Sequence, residues 1–450
     1  MYRKIIPIVL AFSGMLFFMG QMLSDENPLR SNNADGNITL NRTSEAVFPN
    51  VRLLPSSNTQ QTGVDIARDP TNPGILFSTA LSTIGGGNTF VNSGVYVSTN
   101  GGFAWRGSDT LNSPKQNDQR GYPSPVIDRN GRFYVTHLTS VTGFGSVTGV
   151  GVNYSTDRGN TWSSTVQIVN DVNADRSVAG TDDSPVSPYY GNVYSAWTTS
   201  ATTPSTGRAS RTTDGGATWS TPFTLNPAAT GRNTLAHDIA SGPNGEVYVI
   251  WTMALQTGSQ TEDYVGFAKS TNGGATYSTT NNAFDINGIR SSSFNGWGIA
   301  ANGFARIAVD KSNGPRRGYI YIVTSQQNLP PAGSDADIVL NRSTDNGATW
   351  SAGIRVNQDG LNNGKVQFMP SICVDDGGIV HVVYYDNRGF ASVGDSASVY
   401  ISSSFDGALS WNDVEIADHH FKPKQANGFT GGYFGEYTGV VSSQGKIVAT

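Results

Sequence analysis

The chain has 450 residues, a formal net charge of −5 and only 14% charged residues, which leaves no electrostatic footprint for nucleic acid or for docking on an anionic membrane. One cysteine excludes an intrachain disulfide, and with five histidines no zinc-ligand spacing appears. Fifty-three glycines fit a turn-rich, all-β chain.

In chain order, Arg3 and Lys4 precede the apolar stretch Ile5–Gly20, the layout of a secretory signal. Residues 5–23 also approach the length that spans a bilayer, so 1–23 is expected to be a signal peptide or a signal anchor. No cysteine lies nearby to carry a lipoprotein-type anchor. Residues 24–46 are polar and Asn-rich and read as a flexible linker. Residues 47–450 carry a repeat.

The repeat is an eight-residue motif starting at residues 98, 155, 212, 270, 343 and 404. Its copies run from Ser98-Thr-Asn-Gly-Gly-Phe-Ala-Trp105 to Ser404-Phe-Asp-Gly-Ala-Leu-Ser-Trp411. The pattern is Ser/Thr-x-Asp/Asn-x-Gly-x-x-Trp, with Tyr277 for Trp in the fourth copy and Ala408 for Gly in the sixth. An Asx residue that bonds its own backbone, then a Gly free to take positive φ, makes a turn, and the aromatic anchors it. The anchoring positions are Asn100 and Trp105, Asp157 and Trp162, Asp214 and Trp219, Asn272 and Tyr277, Asp345 and Trp350, and Asp406 and Trp411. Short alternating runs flank each copy and read as half-buried strands. A second hairpin, such as Pro125-Val-Ile-Asp-Arg-Asn-Gly-Arg-Phe-Tyr-Val135, precedes each copy, its Asn-Gly or Asp-Gly set between apolar runs. Two hairpins per period give four strands, and four-stranded units at this spacing predict a β-propeller. After the sixth unit, 437–449 reads as one more hairpin, and Asn50–Leu54 as an orphan strand before the first. Because a closed ring leaves no unpaired edges, the two are expected to meet in a seventh, composite blade, favoured over six and cut short at the C-terminus.

The motif copies resemble the Asp boxes, or BNR repeats, of the sialidase-like β-propellers. The segments Gln367–Arg388 and Gly435–Val441 resemble blade openings of secreted bacterial members. The resemblance covers about residues 47–450. It implies that the boxes are structural and that ligands bind where the innermost strands open on the central channel.

Residues expected at that mouth are Arg120, Tyr122, Asp182, Asp183, His237, Asp238, Arg306, Gln367, Glu436 and Tyr437, with His137, Tyr385, Asp386 and Arg388 from second-strand ends. For a member that cleaves sialic acid the resemblance implies three arginines around a carboxylate, drawn from Arg120, Arg306 and Arg388. It also implies a Tyr nucleophile, Tyr385 or Tyr437, activated by Glu436, and an acid/base, Asp182 or Asp183. Plainer roles stand beside these: Asp182-Asp183 as a turn cap before Pro185, His237-Asp238 as a hydrogen-bonded pair, and Asp386 with Arg388 as a blade-ending ion pair. The chain lacks the Arg-Ile-Pro signature of active members; Val51-Arg-Leu-Leu-Pro55 departs from it. No phosphate loop, nucleophile elbow or nucleotide fingerprint is present. The sequence therefore predicts a bacterial protein, secreted or on the cell surface, that recognises a glycan or protein at the mouth of its channel without catalysis. An exo-sialidase-type glycoside hydrolase acting on acidic sugars is the alternative, and a scaffold within a larger surface protein a third reading. No cofactor is expected; Ca²⁺, a hard cation suited to the acidic clusters, is the one candidate ion. No nucleic-acid partner is expected, and a membrane only through the N-terminal anchor.

Overall fold

The computed structural model describes residues 46–450 except 54–59, 84–90, 115–118, 142–144, 227–228, 259, 393, 428 and 444, together with an upstream antiparallel pair, Arg30–Asn32 and Ile38–Leu40. The expected signal segment, and the linker apart from that pair and Ala46, lie outside the described residues.

Six four-stranded antiparallel sheets follow one another as meanders. Blade 1 comprises Gln60–Arg68, Leu76–Thr83, Val91–Ser98 and Arg106–Ser108. Blade 2 comprises Gln119–Ile127, Phe133–Ser140, Val147–Ser155 and Val166–Val169. Blade 3 comprises Ala174–Thr181, Val193–Thr199, Thr206–Thr212 and Phe223–Thr224. Blade 4 comprises Arg232–Ser241, Val247–Leu255, Glu262–Ser270 and Ser278–Asp285. Blade 5 comprises Arg306–Val309, Ile320–Gln326, Asp337–Ser343 and Ile354–Arg355, and blade 6 Gln367–Val374, Val380–Asp386, Ser398–Ser404 and Asn412–Glu415. Second strands are buried almost end to end, because each sheet packs neighbours on both faces. The core is accordingly a series of clusters between adjacent blades. Phe77 of blade 1 stacks on Phe133 of blade 2 at 4.8 Å and meets Trp162 at 5.7 Å.

All six motif turns share one geometry. The first-position hydroxyl accepts the N–H of the fifth residue at 2.8–2.9 Å. The third-position side chain accepts the N–H four residues on at 2.9–3.0 Å. Ala408 keeps this geometry at φ +72°, the left-handed region that the Gly of the other copies enters freely. Basic side chains then reach from one blade into the motif turn of the next. Arg106 donates to the Arg158 carbonyl at 2.7 Å, Arg211 to that of Asn272 at 3.0 Å and Arg316 to that of Phe405 at 3.2 Å. Arg132 and Arg342 donate likewise to Gly215 and Gly407.

The seventh sector differs from expectation. Val440–Ser443 and Lys446–Ala449 form a two-stranded hairpin whose first strand packs between the innermost strands of blades 6 and 1. Residues 50–53 form no strand with it. Asn50 instead donates from its backbone to Asp418 at 2.7 Å and from its side chain to the Ile416 carbonyl at 3.2 Å, just past the outermost strand of blade 6. The described ring thus has six full blades, and among the described residues 50–53 add no strand to the terminal hairpin.

The innermost strands carry the feature that shapes the site. In five of them the register slips near the N-terminal end, and a residue there takes a left-handed conformation. These are Gly63 (φ +54°), Tyr122 (+52°), Arg176 (+50°), Ala236 (+37°) and Met369 (+52°). A β-bulge re-aims the chain at a chosen residue. Only one of these five is Gly, so four are held there at a conformational cost of about 1–3 kcal/mol each.

Candidate ligand-binding site at the channel mouth

The bulged ends of the innermost strands meet the irregular segment 416–439 at one end of the channel. The bulges of blades 3 and 4, the start of blade 5 and residues 436–437 line a small pocket of about 20 Å³ there, with Arg176, His237, Phe304, Arg306, Glu436 and Tyr437. Two ion-pair groups fill this mouth. Arg176, from the bulge of blade 3, donates to Glu436 from Nη2 at 2.7 Å and from Nε at 3.1 Å, and it also pairs with Asp175. Its guanidinium lies 5.8 Å from the Tyr122 ring and 5.6 Å from the Phe304 ring. Arg306, from blade 5, reaches Asp238 of blade 4 at 3.4 Å and Asp65 of blade 1 at 3.6 Å, and stands 5.6 Å from the Tyr437 ring.

Burial sets the electrostatics. It raises the Asp65 carboxyl to about 6, against the pull of Arg306 and with the help of Asp238. Asp238 is also raised by burial, opposed by Arg306 and by the Ile307 and Ile239 N–H groups it accepts. Two carboxylates thus share one guanidinium. Burial, with Tyr433, Asp65 and Glu436 nearby, pushes the Tyr437 phenol well above its ordinary value, so it keeps its proton at neutral pH. Tyr122 is raised in the same way by burial and by Glu436.

The residues named from sequence divide into two groups. Tyr122, His237, Asp238, Arg306, Glu436 and Tyr437 come together at or beside the mouth. His237 and Asp238 are not a hydrogen-bonded pair, because successive strand residues face opposite ways. Asp238 turns to Arg306, whereas His237 is 3% exposed and, among the described residues, has no partner for either ring nitrogen. Burial alone lowers its pKa to about 3.

The others do not line that pocket. Asp182 and Asp183 follow the innermost strand of blade 3 rather than precede it, roughly 20 Å from the Asp175–Arg176 end by strand rise. Asp182 is fully buried and accepts the Ser184 N–H at 3.2 Å and the Ser187 hydroxyl, the turn-cap role. Asp183 accepts Ser241 at 2.8 Å and pairs with Lys311, which holds its carboxyl low although burial would raise it. Tyr385 packs among Phe368, Phe421 and Phe434 at 5.2–5.7 Å, and burial lifts its phenol to about 12. Arg388 is committed within blade 6 to Asp386 at 2.7 Å and Asp413 at 2.6 Å, the blade-ending ion pair. Arg120 donates to the Gly145 carbonyl at 3.0 Å. The partners named here for Arg120, Arg306 and Arg388 are different groups in different blades. His137 is buried against Asn153 at 2.7 Å, and Gln367 lies in the hydrogen-bonded Asn357–Asp359 cluster of blades 5 and 6. Among the described residues no group of three or more His, Cys, Asp and Glu side chains is placed to hold a metal.

Sequence reasoning missed Asp65, Asp175, Arg176 and Phe304. The available sign was a charged pair, Asp175-Arg176, inside a short strand that otherwise reads as wall.

No protein family and no curated protein matches the chain. Solved structures do. An ulvan lyase bound to -[GlcA(1-4)Rha3S]- is similar with a TM-score of 0.53 at 12% identity, over 81% of this chain and 87% of the lyase. A protein of unknown function from Dyadobacter fermentans matches at 0.48 and 13%, over 79% of this chain and 96% of its own. The intramolecular trans-sialidase from Ruminococcus gnavus matches at 0.47 and 13%, over 72% and 90%. At these identities the likeness to the lyase establishes a shared propeller fold and says nothing of activity.

Proposed function

We propose that this propeller recognises an extracellular glycan at the channel mouth without cleaving it. The observation that carries the reading is that both arginines of the mouth are already neutralised from within the chain, Arg176 by Glu436 and Asp175, Arg306 by Asp65 and Asp238. They stand beside the rings of Tyr122, Phe304 and Tyr437. Tyr122 and Tyr437 are partly exposed there and offer, with the paired polar groups, a surface to a sugar, whereas Phe304 is buried. The sialidase chemistry that the resemblance implies would need unpaired guanidinium groups around one carboxylate and a phenol ready to lose its proton. In this reading the six motif turns are Asp boxes, the chain works outside the cell, and the terminal hairpin is the inner half of a seventh blade.

A glycan array probed with residues 47–450, followed by calorimetry on the hits, tests it. Binding weakened at least about tenfold, the loss of one ~1.4 kcal/mol contact, in Arg306→Ala and Tyr122→Ala supports the mouth as the site. Binding unchanged in both variants places the ligand elsewhere and overturns the reading, as does an array with no hits. Turnover of a fluorogenic sialoside panel, lost in Glu436→Gln, would establish the hydrolase alternative instead.

A further inference from the structure

Most connections between blades are short, but two are long. Residues 286–305 join blades 4 and 5, and residues 416–439 join blade 6 to the terminal hairpin. The two meet at the mouth, where Ala300 donates its N–H to the Gly432 carbonyl at 2.7 Å. From there residues 429–439 form a strap across the opening. Tyr433 and Tyr437 lie against the bulge glycine Gly63 of blade 1. Asn302 donates to the Glu436 carbonyl at 3.2 Å, and Thr438 donates to the Met369 carbonyl of blade 6 at 3.2 Å. The contact with blade 3 is the Arg176–Glu436 pair, formed by two guanidinium nitrogens on one carboxylate, with side chains 18% and 13% exposed.

We propose that Glu436 acts as an internal competitor that latches this strap. Arg176, strained into the left-handed region and flanked by two aromatic rings, is a built carboxylate receptor. Glu436 occupies it from a segment without regular structure, so the receptor is filled and the mouth closed by the same contact. A ligand carboxylate of the same chemistry, a uronic acid unit of a glycan, displaces Glu436 and frees residues 429–439. Because the competent state must first give up the latch, its apparent affinity is reduced by the fraction of time the latch is open. The inference rests on the recognition reading for the glycan nature of the ligand, but not for the latch itself.

The test is hydrogen–deuterium exchange of residues 429–439, with and without D-glucuronate and with D-glucose as neutral control, alongside glucuronate titrations of wild type, Glu436→Gln and Arg176→Ala. Glucuronate, and not glucose, is expected to speed exchange in the strap of the wild type. Glu436→Gln is expected to exchange fast there without sugar and to bind glucuronate about tenfold more tightly, and Arg176→Ala to bind none. A strap that does not respond to glucuronate, an equal response to glucose, or a Glu436→Gln protein that binds no more tightly overturns the latch. If Glu436→Gln fails to fold, the wild-type exchange arm decides alone. A wild type that binds array glycans at the mouth while its strap stays closed leaves recognition standing and removes the latch. A strap released by glucuronate with no glycan bound on the array does the reverse.

Discussion

Asp65 shows how a single residue records the strain of this mouth. Its carboxyl is carried from 3.8 to about 6 by burial, with Arg306 only partly offsetting the cost. A carboxyl with a folded pKa above its unfolded value holds its proton more tightly when folded. Its contribution to stability is present below pH 3.8 and is lost as pH rises to about 6, a loss of about 3 kcal/mol at most. Asp65→Asn removes that loss, so its melting temperature relative to wild type should improve between pH 4 and pH 7. Thermal melts at the two pH values check this; a difference that is flat, or that worsens with rising pH, contradicts it. His237 works the other way. With a folded pKa of about 3 against an ordinary 6.5, its favourable contribution is present above 6.5 and lost as pH falls toward 3. His237→Leu should therefore flatten the acid side of the same melting profile, and an unchanged acid slope would show that the imidazole is not the group responsible.

At the scale of the element, the motif turn is the best-determined unit of the chain. Ser343 accepts the Gly347 N–H at 2.8 Å and donates to Asp345 at 2.8 Å. Ser343→Ala gives up these bonds and the longer one from the Asp345 N–H at 3.4 Å, and should cost about 1–2 kcal/mol, a fall of a few degrees in melting temperature; no change would mean that water replaces the hydroxyl. These turns were legible in the sequence because every bond in them spans two to four residues. The bulges were not. A left-handed Tyr, Arg, Ala or Met has no local signature, and the slip it causes shifts which residues reach the mouth. Asp182 was expected at the mouth for a different reason: it was placed ahead of the innermost strand of blade 3, which ends just before it at Thr181. Asp182 belongs instead to a second recurrent device, an Asp closing the turn after the innermost strand, as Asp69, Asp128, Asp310 and Asp375 also do. Its recurrence is visible in the chain once the blades are aligned on their turns.

The whole molecule is held by contacts remote in sequence, which is where reading the chain alone ran out. Arg306 draws Asp65 and Asp238 together, and Glu436 meets Arg176, although these partners lie far apart along the chain. Ring closure depends on the terminal hairpin seating against blade 1. Gly439 sits so close there that an added Cβ would stand 2.8 Å from the Ile66 nitrogen and 2.9 Å from the Asp65 Cα. Gly439→Ala must push the hairpin off blade 1, and overpacking against backbone of this kind costs about 1–3 kcal/mol. Faster hydrogen exchange in both 440–449 and 60–68 is expected; change confined to one of them would deny that they close the ring together. The measurement that bears most directly on the proposed recognition role is the fate of a glycan the protein binds. A saturating hit glycan, incubated with residues 47–450 and analysed by mass spectrometry, should be recovered intact, with binding lost in Arg306→Ala. Cleavage products that disappear in Glu436→Gln would contradict the account and make the mouth an active site.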